Sequence, residues 1–258
     1  MSNTNMDIKL EDFFTPIHLK GKVSEKAYEE MAAYINAVDA LARMTYQSIY
    51  LVDYFQRQFL YVSDNPLFLC GFTPEQVKDL GFSFYLQQVP RNDLELLLEI
   101  NRAGFFFFEK IPVDERLHYT ISYDFHLTQA NNKNILINHK LTPLLLDEKG
   151  QMWASLCIVS LSSHKDSGNI EIRKKGSPII YEYDRIKKIW HQNERIRLNE
   201  KEKQVLRLSA QGLTTKQIAA SVFLSDDSIK VYKKNIFEKL SVNSITEAIM
   251  CSISYGIL

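Results

Sequence analysis

The stretch SDDSIKVYKKNIFEKL, residues 225–240, combines an apolar stripe with a lysine-rich face. Its apolar side chains recur every three or four residues, the spacing of one buried helix face; they are Ile229, Tyr232, Ile236 and Leu240. Asp227, Lys230, Val231 and Lys234 share a second face. The pattern predicts an amphipathic helix with one face left exposed. A solvated surface and a surface that binds a polyanion both fit this pattern, so the flanking sequence must decide.

The flanking sequence predicts a bundle of four helices over residues 196–258. The first helix is expected to stop at Gly212. Thr214 and Gln217 have the spacing of a capping box at the start of the second helix. Ser225 is expected to cap the quoted helix, and a fourth helix closes the chain. Two short helices joined by a few residues, the second with a lysine face, predict a helix-turn-helix.

Three motifs in this bundle resemble the LuxR-type DNA-binding domain, over essentially all of residues 196–258. They are LNEKEKQVL (198–206), GLTTKQIA (212–219) and the quoted helix. Two positions depart from the family: Tyr232 stands where it has histidine, and Thr215 where it has asparagine. The resemblance implies that the lysine-rich helix quoted above, the second helix of the helix-turn-helix, enters the major groove of DNA. Tyr232 lies on the buried stripe, so its departure is expected to alter packing more than readout, whereas Thr215 keeps a hydroxyl for a phosphate and loses an amide. The departures bear on the DNA sequence that is recognised and not on DNA binding itself.

The resemblance also implies which residues contact DNA. Lys230, Val231 and Lys234 are expected to face the groove. Phosphate contacts, which position a domain without reading sequence, are expected from Thr215, Lys216 and Lys239. The predicted DNA-binding residues are Thr214, Thr215, Lys216, Ser228, Lys230, Val231, Lys233, Lys234 and Lys239. A sigma-factor DNA-binding region begins with a similar pattern and remains an alternative.

The net charge of zero conceals an uneven distribution. Residues 1–164 hold 14 basic and 20 acidic residues, whereas residues 195–258 hold ten basic and six acidic ones. A basic end on an otherwise acidic chain suggests a polyanion partner for that end.

Residues 47–163 predict a single α+β unit of two strands, a helical middle and three more strands. RLHYTISYDFHLT (116–128) alternates apolar and polar side chains, as a half-buried strand does. The aromatic hairpin and GFTPEQV step in LVDYFQRQFLYVSDNPLFLCGFTPEQVKDLG (51–81) resemble a PAS sensor domain. The predicted fold class is therefore multidomain α+β, with a PAS-like antiparallel five-stranded sheet and an all-α four-helix LuxR-type domain.

The signal received by the PAS-like domain is not fixed by its residues, and its cofactor stays unknown. The motif of thiol-flavin photosensors, Asn-Cys-Arg-Phe-Leu-Gln, is absent, and Cys70 lies in LFLCGF instead. His139 is the only histidine on an apolar strand face, where a core histidine is the expectation. The aromatic side chains that can line a pocket or fill the core are Tyr50, Tyr61, Phe82 and Phe84.

Two further segments complete the predicted organisation. In residues 1–46, a helix capped by Ser24 is expected to pack on the next domain or on a second copy of itself, through Ala27, Met31, Tyr34, Val38 and Leu41. Residues 164–195 predict a structured connector with two short strands and then a basic helix. The last helix of the chain either dimerises, as is common in the family, or closes the four-helix core.

These features predict a cytoplasmic, homodimeric transcription regulator that binds double-stranded DNA. No run of apolar residues approaches the length of roughly 20 residues that a membrane span requires. Three distant cysteines argue against a disulfide framework and a zinc site. RNA polymerase and a small ligand of the PAS-like domain are candidate partners. An enzyme is disfavoured because phosphate-loop, HExxH and GxSxG motifs are absent, and a PAS module that only mediates protein contacts remains an alternative.

Overall fold

The structure is a computed structural model that describes residues 8–14, 22–194 and 196–257. The chain forms two compact units, Met1–Asn193 and Glu194–Leu258. The helices of the first unit are α1 (Glu25–Thr45), α2 (Pro66–Leu69), α3 (Pro74–Leu80), α4 (Ser83–Gln88) and α5 (Arg91–Glu109). Its strands are β1 (Ser48–Asp53), β2 (Gln58–Val62), β3 (Tyr119–Thr128), β4 (Asn134–Leu146), β5 (Met152–Leu161), β6 (Gly168–Lys174), β7 (Ile179–Asp184) and β8 (Ile189–Glu194).

The strands form one sheet in the order β2-β1-β5-β4-β3-β6-β7-β8. The first five are antiparallel neighbours with helices inserted between β2 and β3, which confirms the predicted PAS-like sheet. Three further strands, β6 to β8, extend that sheet beyond β3. The first of them, β6, pairs with β3, and Ile121 lies opposite Ile172 in this pairing. The basic helix predicted in the connector is wrong, because residues 189–194 form β8. The lysines that suggested a helix, Lys187 and Lys188, lie in the turn before that strand.

Each face of the sheet is covered by a different part of the first unit. One face carries the main core, where Tyr50, Phe68 and Phe125 are fully buried beneath α2 to α5. On the other face, α1 packs Val38 and Ala42 against β1. Of the predicted α1 stripe, the structure buries Met31 and Val38, half-buries Ala27, and leaves Tyr34 and Leu41 exposed. The helix therefore packs on the sheet with part of its apolar stripe.

The second unit is the predicted four-helix bundle. Its helices are α6 (Glu200–Ala210), α7 (Thr215–Ser221), α8 (Asp226–Leu240) and α9 (Ile245–Ser254). Ile229, Ile236 and Leu240 are buried and Tyr232 packs beside them, which confirms the apolar stripe of the quoted helix. Gly212 follows α6 with φ +84°, a left-handed conformation that glycine adopts without strain. On α9, Ala248 closes the core while Ile253 stays exposed.

Across the described ranges, every helix is too short or too polar to cross a membrane.

Candidate functional site

The helix-turn-helix of the second unit is fixed by two N-terminal caps. At the start of α7, the Thr214 amide donates to Gln217 Oε1 at 2.9 Å, and the Gln217 amide donates to Thr214 Oγ1 at 3.4 Å. At the start of α8, the Ser228 amide donates to Ser225 Oγ at 3.1 Å. Capped amides keep both helices regular from their first turn, and the two helices pack together because Ile218 on α7 and Ile229 on α8 lie in one core.

The exposed face of α8 presents Lys230, Val231 and Lys234, as the sequence predicts. The two lysine side chains are 68% and 76% exposed. Lys230 Nζ lies 2.9 Å from Asp227 and Lys234 Nζ lies 3.7 Å from Glu238. The hydrogen bond to Asp227 raises the pKa of Lys230, so its charge is retained. Exposed ion pairs of this kind are weak, so both ammonium groups remain available to a polyanion.

Lys233 and Thr215 join the two helices of the motif. Lys233 Nζ donates to Thr215 Oγ1 at 3.2 Å, and both side chains are half-buried. Lys216 and Thr214 are exposed beside them, and Ser228 lies half-buried within its cap. The structure thus places Thr214, Thr215 and Lys216 at the start of α7, Ser228 in the first turn of α8 and Lys233 in the middle of α8, where it contacts α7.

Lys239 differs from the other predicted DNA-binding residues. Its Nζ lies 2.8 Å from both carboxylate oxygens of Glu202 on α6. Glu202 is 1% exposed and also accepts the amide of Asn199, which caps α6. The charge of Lys239 is therefore used inside the fold, and we leave it out of the proposed interface. The sequence pattern did not reveal this ion pair, because Glu202 lies on another helix.

A pocket of about 60 Å³ lies beneath α5 in the first unit and is partly open to solvent; it is called the interior pocket below. Its lining carries no charged side chain. The residues around it are Tyr54, Ile100, Asn101, Gly104, Phe105, Phe107, Phe108, Ile111, Tyr119, Thr120, Ile121, Tyr123, Leu141, Pro143, Met152 and Ile172. The sequence analysis did not predict this site. The run FFFF at residues 105–108 could have indicated it, because four consecutive aromatic residues of one helix cannot all face the core.

A buried polar cluster lies next to this pocket. Tyr50 Oη is 2.5 Å from both Tyr85 Oη and His139 Nε2, and the Tyr123 ring packs on the imidazole. Burial lowers the pKa of His139 to about 3 and raises that of each of these tyrosines well above its ordinary value. The cluster is uncharged at neutral pH. His139 Nδ1 has no hydrogen-bond partner among the described residues, so His139 is a core histidine that is only half satisfied.

The other predicted aromatics, and the histidine His126, have structural roles. Tyr50, Phe82 and Phe84 belong to the main core. Tyr61 lies on the opposite face and donates to Asp39 on α1 at 3.1 Å. His126 Nδ1 lies 2.8 Å from Asp93, the first buried carboxylate of α5.

The sequence reading also missed a buried carboxylate at the outer face of β3. Asp124 is fully buried and accepts Asn138 Nδ2 at 2.8 Å and Asn169 Nδ2 at 2.8 Å. His164 Nδ1 lies 2.6 Å from the same carboxylate, which raises the pKa of His164. Because β4 and β3 lie between β5 and β6, the connection that holds His164 must cross both strands. Asp124 fastens that crossing to the sheet.

The C-terminal motif matches known proteins. Residues 197–252 match the family described as bacterial regulatory proteins, luxR family. A nitrate/nitrite response regulator protein homolog of Haemophilus influenzae is 47% identical over 47 residues, which are 18% of this chain and 23% of that protein. The transcriptional regulatory protein LnrK of Bacillus subtilis is 35% identical over 72 residues, 28% of this chain and 33% of that protein. The second unit is a LuxR-type helix-turn-helix domain.

These similarities cover a part of each protein. The chain spans 23% and 33% of the length of the two curated relatives. Among solved structures, a Vibrio cholerae VqmA dimer, determined in the absence of target DNA, is 13% identical to this chain. The match covers 92% of this chain and 89% of that one, with a TM-score of 0.33.

Proposed function

We propose that this chain is a DNA-binding transcription regulator whose PAS-like unit receives a signal and whose LuxR-type unit binds double-stranded DNA. The carrying observation is the exposed face of α8, where Lys230 and Lys234 flank Val231 in a capped helix-turn-helix. The luxR-family match over residues 197–252 favours this function over a sigma-factor region.

The proposed interface consists of the groove-facing residues on α8 and phosphate contacts from α7. Lys230, Val231 and Lys234 reach base edges or nearby phosphates, and Lys216 supplies a flanking positive charge. The remaining predicted positions shape this surface through caps and packing: Thr214, Thr215, Ser228 and Lys233. The two aspartates at the start of α8 are exposed or half-buried and stabilise the positive end of the helix.

The test is a double substitution, Lys230→Ala with Lys234→Ala, in the full chain. Binding to random-sequence duplex DNA should weaken, and the slope of log affinity against log salt should shrink by up to about 2, because two cationic contacts are lost. A matched control removes two exposed lysines from the first unit, Lys26→Ala with Lys78→Ala. Identical salt slopes in the wild type and the double α8 variant would sink the assignment of α8 as the DNA-contacting helix.

The proposed signal is a ligand in the interior pocket of the first unit. The pocket lies between α5 and the sheet. Strands β6 to β8 belong to that same sheet and are the last strands before the second unit in the sequence. A ligand that shifts these strands changes the segment from which α6 begins. The alternative, a PAS unit that only mediates protein contacts, predicts no ligand in the pocket.

The remaining parts of the proposal concern assembly. Exposed apolar side chains on α1 and α9, such as Met44 and Ile253, support a homodimer, which sedimentation of the full chain can measure. The proposal assigns the chain no catalytic reaction. A protein that binds DNA must be in the same compartment as the DNA, and we propose that this compartment is the cytoplasm. If the chain activates transcription, it also needs RNA polymerase as a partner.

A further inference from the structure

The helices α6 to α9 of the second unit all end in the same way. After each helix, one residue adopts a left-handed backbone conformation, and the amide of the next residue donates to a carbonyl oxygen five residues earlier. These bonds, of 2.8–3.2 Å, join Leu213 to Leu208, Leu224 to Ala219, Val242 to Phe237 and Ile257 to Ser252. The left-handed residues are Gly212, Phe223, Ser241 and Gly256, with φ +84°, +56°, +54° and +60°. Glycine is the usual residue at this position of a helix ending.

Phe223, between α7 and α8, is the bulky residue among these four. Its Cβ atom is crowded by the backbone in the left-handed conformation, so a phenylalanine reduces stability at this position. Packing does not compensate, because Phe223 is 94% exposed. A residue that is strained and also unpacked is characteristic of a position that serves binding.

The chain places Phe223 beside the proposed DNA-binding face. It lies two residues before Ser225, which caps α8, and Ser225 lies five residues before Lys230. Two residues of chain span at most about 7 Å, and five residues of helix span about 7.5 Å. Phe223 therefore lies within about 15 Å of Lys230, measured between Cα atoms. It adjoins the N-terminal end of α8, the end that reaches base edges in a helix-turn-helix.

The charges at this end of α8 disfavour a phosphate contact. Residues 221–229 contain no lysine or arginine, and Asp226 and Asp227 follow Phe223 closely. The Asp227 side chain is 88% exposed, and its hydrogen bond with Lys230 lowers its pKa, so it stays charged. Carboxylates repel phosphate, whereas an aromatic ring fits an apolar group of DNA. In the major groove that group is the 5-methyl group of thymine.

We propose that Phe223 contacts the methyl group of a thymine at one edge of the DNA site and makes the chain prefer thymine there. This inference rests on the proposed DNA-binding function of the second unit. It adds to the lysine-bearing face a residue that recognises a base through an apolar contact, without a charge.

The first test compares affinity and salt dependence. Selection from a random duplex library with the full chain supplies a bound duplex, and its affinity is then measured at several salt concentrations. Phe223→Ala should bind it about tenfold more weakly, which corresponds to about 1.4 kcal/mol, because the ring no longer buries apolar surface. Its salt slope should equal that of the wild type, because no charge is lost. Ile186→Ala is the matched control, since Ile186 is also 94% exposed but lies in a turn of the first unit, and it should bind like the wild type.

Deoxyuridine identifies the contacted base, because it differs from thymidine only in lacking the methyl group. Each thymine of the selected duplex is replaced in turn. At one position the wild type should lose about fourfold in affinity, the size expected for one buried methyl group, whereas Phe223→Ala should lose nothing there. A thymine that contacts Val231 instead should lose affinity equally in both proteins.

Phe223→Gly separates binding from stability. Glycine relieves the backbone strain, so the amides of α6 and α8 should exchange about fivefold more slowly with solvent. DNA affinity should nevertheless fall as it does in Phe223→Ala. A purely structural role for the ring predicts instead that stability and affinity fall together.

The outcomes separate this inference from the proposed function. Wild-type affinity in Phe223→Ala overturns the contact with DNA and leaves the DNA-binding function in place. Equal deoxyuridine effects in the wild type and Phe223→Ala at every position overturn the thymine contact. Unchanged or faster amide exchange in Phe223→Gly overturns the strain argument. A wild-type chain that binds no duplex overturns the proposed function and this inference together.

Discussion

Acid should destabilise the first unit through one buried histidine, His139. Burial lowers the pKa of this imidazole to about 3, from an ordinary value near 6.5. The unfolded chain therefore binds a proton at this position throughout a pH range in which the folded chain does not. Because the folded pKa is the lower one, stability is fully present above about pH 6.5 and is lost as the pH falls towards 3.

The size of the effect follows from the two pKa values. Each pH unit between them changes the free energy of unfolding by about 1.4 kcal/mol. At about pH 5 the loss is about 2 kcal/mol, a substantial part of the 5–15 kcal/mol that stabilises an ordinary domain. Other groups also titrate in this range, so the prediction concerns the difference between the wild type and a variant without the imidazole.

His139→Gln removes the titration and keeps a side chain that can hydrogen-bond to Tyr50. Urea unfolding is followed by tryptophan fluorescence, which reports on the first unit alone because both tryptophans, Trp153 and Trp190, lie in it. The variant should lose about 2 kcal/mol less than the wild type between pH 7.5 and pH 5. His118→Gln, at an exposed histidine, is the matched control and should follow the wild type. Parallel loss of stability in the wild type and His139→Gln would refute the reasoning.

Two further predictions concern ion pairs in the two units. Lys239→Met should destabilise the second unit by about 2–3 kcal/mol, because it leaves the charge of the buried Glu202 without its partner. This is less than the roughly 3–5 kcal/mol lost when a fully buried pair is broken, since Lys239 is partly exposed. Hydrogen exchange of the α6 and α8 amides measures the change, and Lys234→Met is the control. His164→Asn should destabilise the first unit more at low than at high pH. The hydrogen bond to Asp124 raises the pKa of His164, so its stabilisation is complete below about pH 6.5 and fades as the pH rises through the raised value; a constant difference across the pH range would contradict this.

The parts of the fold that local chemistry specifies were predictable from the sequence. The helix-turn-helix follows from the spacing of Ile229, Ile236 and Leu240 and from the caps at Thr214 and Ser225, and the structure contains all of these. Of the five PAS-like strands, β3 follows from the alternation in residues 116–128, and the other four follow from short apolar runs between turn residues. In both cases the determining residues are neighbours in sequence, so the signal is contained in a short window.

The parts that depend on distant residues were not predictable in this way. The sequence predicts a basic helix at the end of the connector, yet its lysines lie in a turn and Trp190 on β8 packs on Phe107, which is far away in sequence. Asp124 has the polar character of an exposed strand position and is buried only because the β5 to β6 crossing covers it. Lys239 looked like a free cation because its partner, Glu202, lies on another helix.

The residues that the sequence analysis missed also suggest how the proposed ligand site in the first unit is connected with the proposed DNA-binding surface of the second. Phe107 touches the interior pocket, and Trp190, which packs on Phe107, belongs to the last strand before the second unit. Only residues 195–199 lie between the end of β8 and the start of α6. A ligand that displaces Phe107 removes a packing contact from β8, and β8 has a neighbouring strand on only one side. A strand with one neighbour depends on side-chain contacts more than an inner strand does, so under the proposed function β8 is the strand of the first unit best placed to pass on a change caused by a ligand.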